Sequence, residues 1–186
     1  MFPASPFERL CEGNARFVSG ESMQRDHVSR RLELVSVQHP YAAVLTCADS
    51  RVSPEILFDA GLGDLFVVRN AGNVVDVNVL ASLEYAVHHL GVDLVAVLGH
   101  YGCGAVNAAC SPAAQVGNLA SLVEELGESV RRGGGDPAGA VVENVMLARE
   151  RIRVGSELLR GEMDGGRLTV KGGVYSLDEG RVVWLV

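Results

Sequence analysis

The amino-acid sequence predicts an α/β protein built on a parallel β-sheet. Two runs rich in valine and leucine, at 41–46 and 92–98, are almost entirely apolar, as strands covered on both faces of a sheet are. Helical patterns separate these runs and a third one at 65–69, and strands that alternate with helices form parallel sheets. The end of the chain has apolar residues on both sides of 178–180, which is typical of a β-hairpin.

Apolar spacing and helix-boundary residues define the elements of the first half. Pro40 ends any helix before the first strand, because proline disfavours helical geometry in the residue before it. Ser53 and Pro54 are typical of an N-cap followed by the first helical residue. The predicted elements are a helix at 6–18, a polar stretch at 19–31 followed by a short helix, a strand at 41–46, a helix from 53–54 and a strand at 65–69.

The second half continues the alternation and then changes character. Asp76 begins a helical pattern, and Gly91 is its expected C-cap. Three glycines within 132–137 predict a break between two helices. The predicted elements are a loop at 70–73, a helix at 76–90, a strand at 92–98, helices at 106–110, 118–131 and 140–159, and a terminal hairpin.

Composition limits the class of protein. The 186 residues are enough for one well-filled domain, and no segment suggests a division, so we expect a single domain over residues 1–186. A net charge of -7 without a basic stripe argues against nucleic acid as a partner. No apolar run is long enough for a membrane span and the start does not resemble a signal peptide, so we expect a cytoplasmic protein without a membrane partner. The four cysteines are then expected to be reduced.

Three metal-ligating residues stand at the ends of predicted strands. Cys47 closes the first apolar run, and His100 and Cys103 follow the run at 92–98. Because parallel strands end at the same edge of a sheet, the three side chains are expected to meet there. Two thiolates and one imidazole are a ligand set that suits Zn²⁺, with the fourth position left for water or substrate. The sequence therefore predicts a zinc site.

An aspartate and an arginine follow the first of these ligands. Asp49 could fill the fourth position on the metal and close the site. Arg51 could instead hold that carboxylate through two parallel hydrogen bonds, which would keep it ionised and off the metal. A carboxylate held in this way can accept a hydrogen bond from zinc hydroxide and orient the nucleophile. The formally neutral site should favour activity that rises with pH from about 7 to 9.

Three ordered motifs give the chain a resemblance to the β-class carbonic anhydrases. The motifs are Cys-Ala-Asp-Ser-Arg-Val at 47–52, Arg-Asn-Ala-Gly-Asn at 69–73 and Gly-His-Tyr-Gly-Cys-Gly-Ala at 99–105. Similarity extends from Asn-Ala-Arg-Phe at 14–17 to Gly-Gly-Val-Tyr at 172–175. The resemblance implies Zn²⁺ on the three ligands and reversible hydration of carbon dioxide to bicarbonate by attack of zinc-bound hydroxide.

The same resemblance implies an architecture and a set of substrate contacts. It implies four parallel strands with an added antiparallel strand, flanked by helices, and a homodimer, often paired into a tetramer, in which a helical arm at 1–35 packs on a partner subunit. Where a bacterial subgroup has a tryptophan, this chain has Val44, which puts that subgroup's inhibitory bicarbonate site in doubt, although Arg69 and Tyr175 are plausible remnants of it. The implied substrate-pocket residues are Gln38, Phe66, Ala71, Tyr85 and Gly104.

Other interpretations stay open at the level of sequence. An enzyme on the same scaffold could hydrolyse carbon disulfide or carbonyl sulfide with identical metal motifs. A zinc-stabilised module that binds bicarbonate without turnover should lack Asp49 or Arg51, and both are present. Cys11 and Cys110 have no ligand neighbours in the sequence and are expected to be structural. His27 and His39 are expected in surface loops, and the histidine pair 88–89 near a helix end.

Overall fold

The computed structural model describes residues 4–111, 113 and 115–186 and contains one five-stranded sheet. Its order is β2-β1-β3-β4-β5, in which the first four strands are parallel and β5 runs antiparallel to β4. This confirms the fold class expected from the sequence, including the terminal hairpin. The strands are β1 (Ala42–Cys47), β2 (Leu65–Asn70), β3 (Leu94–His100), β4 (Thr169–Tyr175) and β5 (Val182–Leu185).

Helices flank the sheet, and five of those described begin at a residue whose side chain accepts a hydrogen bond from the first turn. Asp76 accepts a hydrogen bond from the Val79 N–H and so caps α4, whose C-cap is Gly91 in the left-handed conformation, as predicted. The helices are α1 (Pro6–Ser19), α2 (His27–Glu33), α3 (Pro54–Leu57), α4 (Val77–Leu90), α5 (Gly104–Cys110), α6 (Asn118–Arg132), α7 (Pro137–Gly155) and α8 (Glu157–Asp164).

Two predicted helices have different bounds in the structure. The helix α2 begins at His27 rather than after residue 31, because the Asp26 carboxylate accepts hydrogen bonds from the N–H groups of the first turn. The single helix predicted at 140–159 is two helices. Ser156 takes an extended conformation between α7 and α8, its Oγ accepts from the Leu159 N–H, and it donates to the Glu84 carboxylate at 2.5 Å.

The sheet has a core on each face, because alternate residues of its central strands point in opposite directions. Ala43, Leu45, Val95 and Val97 belong to the core under α4, α6 and α7. The neighbouring residues of β1 and β3 face a smaller core that Leu10 of α1 completes. Both central strands are therefore buried along their whole length, which fixes the positions of their carboxyl ends.

The N-terminal helix is attached to the sheet of its own chain. The Asn14 side chain is buried, and its Nδ2 donates to the carbonyls of Leu57 (3.1 Å) and Gly180 (2.9 Å). Its Oδ1 accepts from the Val182 N–H at 2.9 Å. By contrast, α2 has no buried residue, so packing of the arm at 1–35 on a partner stays a prediction that rests on this second half of the arm.

A helix that spans a membrane must be both long and apolar enough to cross the hydrocarbon layer. Within the described residues, no helix combines the length and the apolar character needed to span a membrane.

Candidate metal centre

Two neighbouring parallel strands bring the three predicted metal ligands together. Thr46 of β1 pairs with Leu98 of β3, so Cys47 and His100 both lie at the carboxyl ends of these strands. Cys103 follows β3 after a turn and stands directly before α5. The three ligating atoms all lie within 4.8 Å of one another, and the two sulfur atoms are 3.8 Å apart. All three side chains are buried, at 5%, 1% and 1% exposure, which is typical of a site that encloses an ion.

The imidazole of His100 is oriented as a metal ligand. Its Nδ1 lies 3.0 Å from the Tyr101 carbonyl oxygen, so this nitrogen carries the proton and donates. Its Nε2 is buried and has no hydrogen-bond partner among the described residues. A buried acceptor without a partner costs free energy unless a cation or a donor occupies the space beside it. The residues present therefore fit a Zn²⁺ ion, and the missing interaction is the one that the metal would supply.

The pKa values of the two cysteine thiols are shifted in opposite directions. A hydrogen bond from the Cys103 thiol lowers the pKa of Cys47, and the Gly72 N–H at 3.3 Å from the Cys47 sulfur adds to this effect. The same thiol–thiolate interaction raises the pKa of Cys103. One thiolate is thus already favoured, and binding of a divalent cation favours loss of the second proton.

Asp49 and Arg51 form a second unit beside the buried ligands. Both oxygens of the Asp49 carboxylate accept from the Arg51 guanidinium, at 2.9 and 2.7 Å, and Oδ1 also accepts the Arg51 backbone N–H at 2.9 Å. These bonds hold the pKa of Asp49 well below its usual range. Asp49 Oδ2 lies 3.9 Å from His100 Nε2, so the carboxylate stands directly beside the ligand set.

Arg69 holds the loop that carries this dyad. Its Nε donates to the Cys47 carbonyl at 3.1 Å, and its Nη2 donates to the carbonyls of Asp49 (2.8 Å) and Val52 (2.7 Å). The sequence suggested Arg69 as a remnant of a bicarbonate site, and that role stays untested. In the structure, its hydrogen bonds go to the backbone of the loop at 47–52.

The predicted substrate residues occupy two places. Gln38 and Tyr85 line a groove of about 800 Å³, and the Phe66 ring lies 6.1 Å from the Tyr85 ring. The lining of this groove comes from residues 34–39, 85 and 88–91 and includes none of the three metal ligands. Ala71 and Gly104 are both exposed, the first in a 3₁₀ turn after β2 and the second at the start of α5.

Sequence reasoning missed a second set of polar residues behind the metal ligands. Gly72 donates its N–H to the Cys47 sulfur, while its carbonyl accepts from Asn144 of α7 at 2.7 Å. Asn144 in turn accepts from the Ser129 hydroxyl of α6 at 3.2 Å. One signal was present in the sequence: Asn144 is a polar residue on a helix face that otherwise carries apolar residues such as Val141 and Ala148.

Comparisons with known proteins agree with this geometry. The sequence profile of the family described as carbonic anhydrase matches residues 42–182, which include the three ligands and the dyad. The chain is 42% identical to carbonic anhydrase 2 of Mycobacterium tuberculosis over 97% of this chain and 92% of that protein. It superposes on the Coccomyxa β-carbonic anhydrase solved with acetazolamide at a TM-score of 0.77, with 29% identity over 100% of this chain and 87% of the other.

A second solved structure resembles this chain to a similar degree and is described as tetrameric. It comes from a study of two tetrameric β-carbonic anhydrases of Sordaria macrospora. The TM-score is 0.78, with 25% identity over 96% of each chain.

Proposed function

This chain belongs to the β-class carbonic anhydrase family and is an enzyme of that family, and from this premise we propose that it catalyses the reversible hydration of carbon dioxide to bicarbonate and a proton with Zn²⁺. One observation carries the proposal: Cys47, His100 and Cys103 converge in a buried cluster whose imidazole Nε2 lacks a partner among the described residues. A zinc ion held by such a set acts as a Lewis acid and lowers the pKa of a water molecule that it binds.

The dyad would orient the reacting oxygen. Asp49 is ionised and accepts hydrogen bonds only, so it would accept one from a protonated oxygen beside His100 and reject an unprotonated anion. Arg51 keeps the carboxylate in place through two parallel bonds and its backbone N–H, which together leave a lone pair of Oδ2 for another donor. Arg69 keeps the loop from moving while the substrate is exchanged.

The same aspartate would close the site in a second state. Its Oδ2 is already 3.9 Å from His100 Nε2, so a short movement would bring it to the fourth position on the metal. That movement must break both bonds to Arg51, and the guanidinium therefore favours the open state. Activity depends on this competition, because a carboxylate on the metal excludes water.

We extend the proposal to substrate contacts and to assembly. Gln38, Phe66 and Tyr85 would line the carbon dioxide pocket, with Ala71 and the Gly104 N–H near the substrate oxygen. Since the groove of Gln38 and Tyr85 contains no metal ligand of its own chain, these side chains would contribute across the interface of a homodimer. The exposed valines and leucine of 28–37 beside that groove support such an interface, and the tetrameric relatives support further pairing. Cytoplasmic location stays a prediction.

A hydration assay tests the proposed function. Stopped-flow measurement with zinc-loaded protein should detect carbon dioxide hydration that becomes faster at alkaline pH. Carbon disulfide and carbonyl sulfide should be turned over far more slowly in the same preparation. Absence of hydration at every pH with zinc fully bound would contradict the proposal, and preference for a sulfur substrate would assign the site to that chemistry.

A further inference from the structure

A chain of hydrogen bonds leads from two helices to the sulfur of the first metal ligand. The Ser129 hydroxyl donates to Asn144 Oδ1 (3.2 Å), Asn144 Nδ2 donates to the Gly72 carbonyl (2.7 Å), and the Gly72 N–H donates to the Cys47 sulfur (3.3 Å). Each of these residues is buried, so water cannot replace a lost bond in the chain.

The Gly72 N–H and the Gly72 carbonyl belong to two different peptide groups, which are joined at the Gly72 Cα. The φ of Gly72 is +71°, and a Cβ at this position would stand 3.2 Å from both the Ala105 Cβ and the Leu126 Cδ1. Packing against α5 and α6 thus fixes where this Cα lies. The two peptide groups can still rotate about the bonds at this Cα. Asn144 restricts that rotation by holding the carbonyl, which keeps the N–H on the Cys47 sulfur.

We propose that Asn144, supported by Ser129, is a positioning residue that aims the Gly72 N–H at the Cys47 sulfur and thereby strengthens the hold of the site on zinc. The inference rests on the proposed function, because it takes Cys47 as a zinc ligand. An N–H···S bond orients the thiolate and so pre-organises the site for zinc, and this orientation is the source of the stronger hold. The same bond withdraws some electron density from the sulfur, and outer-shell groups of this kind commonly tune metal affinity and electronic structure. In a site with two thiolates, this withdrawal keeps the metal a better Lewis acid.

The test compares N144L with I152V. The leucine has the same number of side-chain heavy atoms and the same branching as asparagine but cannot donate to Gly72, whereas Ile152 is a fully buried residue of the same helix that takes no part in the chain of bonds. Zinc release to a chelator should be about tenfold faster in N144L than in I152V. In cobalt-substituted protein, the thiolate-to-metal charge-transfer band should move to longer wavelength in N144L only, since the N–H no longer stabilises the sulfur lone pairs.

Ser129→Ala is a milder variant that also tests whether Ser129 acts through Asn144. It should shift the band and the release rate in the same direction by a smaller amount, and it should add nothing in the N144L background because the chain is already broken. Unchanged band position and zinc release in folded N144L would overturn the inference, and if N144L does not fold, an unchanged S129A would do so. Absence of any charge-transfer band in the unaltered cobalt protein would instead contradict the proposed zinc site itself.

Discussion

The buried ligand cluster and the partly exposed dyad are adjacent, yet both carboxylate oxygens of the dyad have hydrogen-bond partners, whereas His100 Nε2 in the cluster has none among the described residues. Asp49 Oδ2 and His100 Nε2 are 3.9 Å apart. The Asp49 carboxylate receives three hydrogen bonds from Arg51, so the dyad is complete without any other group. His100 Nε2 has no partner in the described part of the chain, and the two cysteine sulfurs contact each other.

This difference assigns metal binding to the cluster and orientation of the reacting oxygen to the dyad. The cluster is incomplete as a set of protein groups and becomes complete only around a cation, so its substitutions should change metal content. The dyad is stable by itself, so substitutions in it should change the hydration rate without changing the metal content. Exposure agrees with this division, because the Arg51 side chain is 55% exposed while that of His100 is fully buried.

Loss of a sulfur ligand should have the largest effect. In Cys47→Ser, zinc content should fall to near zero and hydration should decrease by more than about 100-fold, beyond the usual range of outer-shell changes. Cys110→Ser, outside the cluster, is the matched control and should keep both. Elemental analysis and stopped-flow hydration measure the two quantities, and a Cys47→Ser protein that retained stoichiometric zinc would remove Cys47 from the ligand set.

Neutralisation of the dyad carboxylate should come next. Asp49→Asn keeps the shape but places an amide donor where an oxygen accepted, so hydration should fall by about 100-fold or more, as for loss of an acid–base group. Zinc content should stay that of the unaltered chain. Equal loss of zinc and activity would show that the dyad and the cluster are not separable, while unchanged turnover would eliminate the proposed orienting role.

A change in the guanidinium should have a smaller effect. Arg51→Lys keeps the charge but cannot form two parallel bonds, so hydration should fall about tenfold, the equivalent of one charged hydrogen bond. The loosened carboxylate should also favour the closed state, and X-ray absorption at the zinc edge should then detect an added oxygen ligand. A rate equal to that of the unaltered chain would mean that Arg51 does not govern the position of Asp49.

The pH profile should change least. Arg51 lowers the pKa of Asp49, and weakening of that contact raises it only toward the ordinary value of about 3.9, so Asp49 remains ionised at neutral pH in either protein. The rise of activity between about pH 7 and 9 should therefore have the same midpoint in Arg51→Lys as in the unaltered chain. A midpoint that moved by about one pH unit would assign the titration to the dyad instead.

The sequence predicted the sheet and the ligand cluster because both depend on local patterns. Apolar runs define β1 and β3, and the ligands directly follow these runs, so a parallel arrangement was sufficient to bring Cys47 and His100 together. The Asp49–Arg51 pair spans two residues of one loop and is equally local.

What the sequence did not predict depends on contacts between distant segments. Apolar spacing continues across residues 154–159, yet α7 ends at Gly155. The next residue, Ser156, is extended and its hydroxyl bonds to Glu84 on another helix. The bond from Asn144 to Gly72 likewise joins residues 72 positions apart. No spacing rule identifies the partner in such pairs, because the packing of distant elements determines it. For Asn144, the packing is that of α6 and α7 against the loop after β2.

Metal content and coordination of the purified, unchelated protein test the central claim most directly. We predict about one zinc ion per chain, with X-ray absorption showing two sulfur ligands at about 2.3 Å and a nitrogen ligand at about 2.0–2.1 Å. Zinc far below one equivalent, or a zinc shell without sulfur, would contradict the account of the Cys47, His100 and Cys103 cluster.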